Sequence, residues 1–237
     1  MTKLKKIKKF LVRPEFRKTE LTATPPVPSS TLIPQWYKDI PVIKNLKMVE
    51  GGYINTNVKH CTPFLDAMIS GYTFVLSDHI IVSWGENGIP SLLWRTTKTQ
   101  VTDHSPDQYR GIPTPHGYYP HVLKWHNEFF IQLPEGYSLW CTHPVNRFDL
   151  PFQVITGFVD CDTYNMAVQF PFFIKEGWSG IIESGTPLAQ LIPIKRDEWE
   201  LQMQKSDDEY TEKMRSEYKK KIVRSYKTRY WHKKSYR

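Results

Sequence analysis

From Tyr72 to Ile194 the apolar residues of this chain come in short runs separated by proline, glycine, asparagine and aspartate, and no long helical pattern interrupts them. Runs of strand length bounded by turn formers bury their side chains by pairing edge to edge, which restricts the middle of the chain to sheets joined by tight turns. The 18 prolines and an aromatic content of 14% point the same way. At 237 residues and 40% hydrophobic content the chain can close a full core, and its length predicts one domain with appendages.

Strands are predicted at 72–76, 80–84, 91–95, 122–125, 129–133, 137–142, 154–159, 167–174 and 188–194, with turns at Gly85-Glu-Asn-Gly88 and Pro134-Glu-Gly136. So many short strands imply a sandwich, a jelly roll or a β-clip. Before them, 57–67 has apolar residues at helical spacing, with Pro63 tolerable in a first turn. Residues 102–120 hold four prolines and two glycines. A loop of that length in a compact domain is more often a binding loop or a subunit contact than an idle connection.

The ends differ from the middle. Residues 1–30 read as a basic, proline-rich arm, 31–200 as the β-rich core domain, and 206–237 as a helix with a basic aromatic tail. Ile33-Pro-Gln-Trp-Tyr-Lys-Asp-Ile-Pro41 is expected to lie extended and to anchor the arm by burying Trp36. Ser206-Asp-Asp-Glu209 fits a capping box. Tyr210, Met214, Tyr218, Ile222 and Tyr226 recur every four residues, predicting an amphipathic helix over 206–226 whose aromatic stripe lies on the body or on a neighbouring subunit.

The net charge of +8 is unevenly placed. Residues 1–18 carry +7, residues 206–237 carry +6, and the body between them −5. Basic arms of this kind meet a polyanion or an acidic protein surface, or dock on the acidic body of their own chain. In the tail, Arg224, Lys227, Arg229, Tyr230, Trp231, Lys233 and Lys234 combine cations with rings, a composition suited to nucleic acid or to a protein partner. Cys61, Cys141 and Cys161 are widely spaced without a CxxC pair, which predicts reduced thiols in a cytoplasm. No stretch approaches the ~18 apolar residues of a membrane span, so no membrane partner is expected. His116, His121, His126 and His143 crowd one region, but they lack the spacing of zinc ligands and no metal site is predicted. Ser-His-Asp, P-loop and dinucleotide motifs are missing.

Two segments carry a resemblance. Gly157-Phe-Val-Asp-Cys-Asp-Thr-Tyr164 and Glu183-Ser-Gly-Thr-Pro-Leu-Ala-Gln-Leu-Ile192 resemble the dUTPase and dCTP deaminase superfamily. There a Gly-Val-Ile-Asp-x-Asp-Tyr turn presents a catalytic aspartate and a Gly-x-x-x-Ala-Gln-Leu strand closes the subunit. The likeness implies a β-clip body. It also implies Asp160 as the base that orients water, Tyr164 under the sugar, Arg147 on phosphate and magnesium as cofactor, with dUTP or dCTP as substrate. The chain departs from the pattern. His143-Pro-Val-Asn-Arg147 stands where the phosphate-binding serines should be, Thr73 replaces the acid of the first motif, and no glycine follows Gly185 to form the arm over the triphosphate. Asp160 and Asp162 are also ordinary turn residues that can satisfy backbone donors.

A second resemblance runs through Ile33-Pro-Gln-Trp-Tyr-Lys38, Lys59-His-Cys-Thr-Pro-Phe-Leu-Asp-Ala-Met-Ile-Ser-Gly-Tyr72, Leu123-Lys-Trp-His-Asn127 and Phe170-Pro-Phe-Phe-Ile174. Over these the chain is similar to a family of tailed-bacteriophage proteins, notably of cyanophages. It implies a phage origin, hence a host cytoplasm or a virion, and carries no biochemical activity. Together these readings predict a non-catalytic binding or virion assembly protein that needs no cofactor and self-assembles or meets a protein partner. The alternative is a divergent nucleotide hydrolase or deaminase.

Overall fold

A computed structural model describes residues 7–17, 23–47, 49, 55–220 and 226–237, with 218–220 described by backbone alone. Its architecture is mainly antiparallel β, as the run pattern predicts. The central sheet has five strands in the order β11 (Gly157–Val159), β9 (Tyr137–Thr142), β14 (Pro187–Lys195), β3 (Tyr72–Val75) and β2 (Val27–Pro28). A four-stranded sheet runs β10 (Phe152–Val154), β12 (Phe170–Ile174), β7 (Leu123–Trp125), β6 (Val101–Asp103). A three-stranded sheet runs β13 (Gly180–Ile182), β4 (Ile80–Trp84), β5 (Pro90–Leu93). β1 (Leu11–Pro14) pairs with β8 (Phe129–Gln132).

β14 is buried from Pro187 through Leu191 because β3 and β9 flank it. Within it Gln190 is 1% exposed, yet its amide is satisfied: Nε2 donates to the carbonyls of Ala67 (2.9 Å) and Ser70 (2.6 Å), and Oε1 accepts from Val145 N (2.9 Å). A buried amide must find such partners, so Gln190 ties a helix end and a loop to the sheet. The core centres on Trp125, stacked on Phe172 at 4.0 Å with Phe152 edge-on at 5.1 Å. Gly71 has φ +71, and a Cβ there would stand 2.2 Å from the Leu191 carbonyl oxygen, so only glycine fits where β3 begins.

The structure corrects several local expectations. The segment after Pro34 is a short helix, α1 (Gln35–Asp39), and Tyr37 rather than Trp36 is buried, stacked at 6.0 Å on Phe64. Helical geometry turns Trp36 sideways, where its Nε1 donates to Asp149 at 3.2 Å. The 57–67 helix begins later, as α2 (Thr62–Ile69), after a 3-10 turn at Val58–His60. The strand expected over 154–159 is two strands in different sheets, β10 and β11.

The terminal helix α3 spans Asp208–Lys220, and Asp207, not Ser206, caps it by accepting from Tyr210 N at 2.8 Å. Tyr210 is 60% exposed, so this end of the stripe does not rest on the body. Ile222 and Arg224 lie outside the described residues. Arm residues make contacts with their own body: Lys8 Nζ sits 4.1 Å from the Tyr137 ring centre and the Arg13 guanidinium 4.7 Å from that of Phe130. Among the described residues no helix is long and apolar enough to cross a membrane.

Candidate functional site

Asp160 stands where β11 ends and the chain turns. The turn is closed by backbone bonds from Thr163 N (3.0 Å) and Tyr164 N (2.8 Å) to the Asp160 carbonyl, and by Leu133 N donating to the Cys161 carbonyl at 3.0 Å. Both its carboxylates are engaged. Asp160 Oδ1 accepts from Ser138 Oγ at 2.6 Å and from Arg196 Nη1 at 3.2 Å. Asp162 is nearly covered, at 3% exposure, and binds Arg196 through both oxygens while Oδ2 also accepts from Gly136 N at 2.9 Å. The Arg196 guanidinium holds the Asp162 carboxyl below the usual range. The carboxylates in turn raise the arginine further.

Beneath the turn Cys161 and Cys141 are buried thiols. Burial, joined by the charge of neighbouring Cys161, pushes Cys141 up to about 12, and burial with the charges of Asp160 and Asp162 pushes Cys161 up to about 11. Neither is poised as a nucleophile at neutral pH.

Register places the other expected residues elsewhere. β11 pairs Gly157 with Cys141 and Val159 with Leu139, so Asp160 arrives at the Ser138 end of β9. Arg147 follows the opposite end of that strand, beyond Thr142, about 13 Å of strand away. Its guanidinium is 14% exposed and forms a two-pronged pair with Asp149, Nε to Oδ1 and Nη2 to Oδ2, both at 2.8 Å. Burial alone would raise the Asp149 carboxyl; the Arg147 bonds outweigh it and hold it low. Tyr164 is 47% exposed on the turn itself. Within one chain, Asp160 and Tyr164 are thus neighbours and Arg147 is separate from them.

The tail residues divide. Trp231 Nε1 and Lys234 Nζ both donate to Asp66 Oδ2 at 2.6 Å, Tyr72 Oη donates to the Arg237 carbonyl at 3.2 Å, and Arg229 lies 3.8 Å from Glu217. The Asp66 bond and charge raise Lys234. Lys227, Tyr230 and Lys233 are exposed. The histidines serve local bonds: His121 bridges Tyr109 Oη (2.6 Å) and Asp103 (3.0 Å), His126 meets Thr102 Oγ1 (2.7 Å), and His143 Nε2 contacts the Arg147 carbonyl (3.2 Å). Among the described residues no three His, Cys, Asp or Glu cluster as metal ligands do.

No family model and no curated protein matches this chain. Among solved structures it is similar to a mutant dUTPase from phage phi11 of S. aureus, described with a structural Mg(II) ion, at 12% identity and a TM-score of 0.35 over 84% of this chain and 99% of that one.

Two further features of the surface escape sequence reading. Arg196, the cation that neutralises the turn, is 36 residues from Asp160 and arrives only through the pairing of β14 on β9. Past it, the chain from 197 to 206 is fully exposed and irregular, carrying Trp199, Leu201 and Met203 at 91%, 90% and 89% exposure. Their alternation is visible in the sequence, but nothing there says that they stand off the body.

Proposed function

We propose that this is a phage-encoded, non-catalytic binding or virion assembly protein, working in the host cytoplasm or in the particle. The observation that carries this reading is the segment with Trp199, Leu201 and Met203 each about nine-tenths exposed. Three large apolar side chains in five residues, held out in water, are a liability unless a partner covers them. The turn chemistry supports the same reading. Asp160 Oδ1 is already taken up within the chain, accepting from both Ser138 and Arg196. Arg147 is committed to Asp149 and sits apart from Asp160. Basic arms on an acidic body would add attraction to polyanionic or acidic surfaces.

Light scattering across protein concentration tests this reading. Self-assembly predicts a mass that rises with concentration, and deleting residues 197–205 lowers it. A monomer at every concentration, with no capture by phage particles, would contradict it. The nucleotide hydrolase or deaminase alternative rests on one feature, the 62% exposure of the Asp160 carboxylate at a hairpin tip beside Tyr164. In that case Asp160→Asn abolishes turnover of dUTP or dCTP with the fold intact.

A further inference from the structure

The outer face of the β13-β4-β5 sheet carries an unusual row. Ile181 lies opposite Ile81 and Ile81 opposite Leu93, so three aliphatic side chains form one line across the strands. They are 53%, 47% and 59% exposed. With Trp94 they line a groove of about 390 Å³ whose rim bears His79, Arg95 and Glu183. Asp78 Oδ2 accepts from the amides of Arg95 (3.2 Å) and Thr96 (3.1 Å), which fixes the loop carrying the arginine. The Arg95 guanidinium makes no ion pair among the described residues, while Glu183 stands beside His79.

The same chain carries a matching unburied element. Trp199, Leu201 and Met203 alternate along an exposed segment, and Glu198 and Glu200 flank the tryptophan. An apolar knob flanked by carboxylates is complementary to an apolar groove with a cation on its rim. The knob does not fill the groove of its own chain, where Trp199 stays 91% exposed. The groove joins β14 near Pro187, through the turn closed by Thr186 N to the Glu183 carbonyl at 3.0 Å, and the knob leaves the other end, after Lys195. Eight residues of strand span about 26 Å, and the four residues from Lys195 to Trp199 reach at most ~14 Å.

We infer that the groove over Ile81, Leu93 and Ile181 receives Trp199 from a second copy of this chain, with Leu201 and Met203 extending the contact and Glu198 and Glu200 facing Arg95. The inference rests on the assembly reading and narrows it to one contact. Because knob and groove are different surfaces, the contact is heterologous, and it closes into a ring or a reciprocal pair where geometry permits and otherwise propagates.

Sedimentation velocity on the full chain tests it with two variants at exposed positions, Trp199→Ala and Leu93→Glu, each checked for unchanged thermal unfolding. Each is expected to weaken self-association roughly 30-fold or more, the effect of losing a buried tryptophan anchor. A mixture of the two is expected to regain a complex, since the first variant keeps its groove and the second keeps its knob. If the wild type assembles and the variants assemble equally well, or the mixture regains nothing, the groove assignment is overturned while the assembly reading stands. A wild type that stays monomeric at every concentration overturns the groove assignment, and the binding or assembly reading falls with it only where phage particles also fail to capture the protein.

Discussion

Asp162 is almost fully covered, and its carboxylate is bonded to the Arg196 guanidinium on one side and the Gly136 amide on the other. With the folded-state value held below the ordinary ~3.9, this group contributes stability that is fully present above that pH and is lost as pH falls through the lower folded value. Replacing Arg196 with alanine removes the cause, so Arg196→Ala is expected to melt at lower temperature at neutral pH. Its loss of stability as pH falls below about 4 should be shallower than that of the wild type. Thermal unfolding across that range checks both; an unchanged acid limb would show that the pair is not coupled to folding. Asp160 and Tyr164 were legible through the resemblance of one turn motif, because such a motif is local in the chain. Arg196 was not visible, because its place depends on the register of two strands far apart in the chain.

At the scale of elements, strands with a strong local pattern were legible. Residues 72–76, 80–84 and 137–142 appear as β3, β4 and β9 within a residue or so of their predicted bounds. The failures have physical causes. At 154–159 a continuous run crosses from one sheet to another, with Ile155 N donating instead to the Pro171 carbonyl at 2.8 Å, and periodicity alone does not register such a break. At 35–39 the two flanking prolines suggested extension, whereas proline is compatible with the boundary of a helix. Two substitutions test the packing. Phe172→Ala removes the ring stacked on Trp125 and is expected to cost about 3–5 kcal/mol in denaturant unfolding. Gly71→Ala forces a Cβ against the Leu191 carbonyl at a positive φ, and its cost should exceed the roughly 1 kcal/mol of an ordinary glycine replacement; a neutral result would refute the close approach of β3 to β14.

Across the whole molecule, the chain ends return to the body at some points and leave it at others. The tail docks through Asp66, whose side chain is 12% exposed and whose Oδ2 accepts from both Trp231 and Lys234. Asp66→Ala should free residues 231–237, seen as faster proteolysis after the π-helical turn at Tyr226–Tyr230 with the core still protected. Equal cleavage rates would show that this docking is not held by Asp66. Charge asymmetry in the sequence indicated sticky arms, and an acidic body was one of their possible targets. That Trp231 and Lys234 meet on one carboxylate of α2 is a tertiary fact without a local signature. The same holds for 197–206, which composition alone does not distinguish from a strand edge or a core segment.

On the proposed function, the β body presents surfaces for a partner and does not assemble a nucleotide-cleaving centre from Asp160, Tyr164 and Arg147. The most direct measurement is pyrophosphate and ammonia release from a panel of deoxynucleoside triphosphates with magnesium, beside the Asp160→Asn variant. A binding or assembly protein gives no release above the buffer rate and no difference between the two proteins. Turnover of dUTP or dCTP by the wild type that vanishes in Asp160→Asn, with its fold unchanged, would contradict that function.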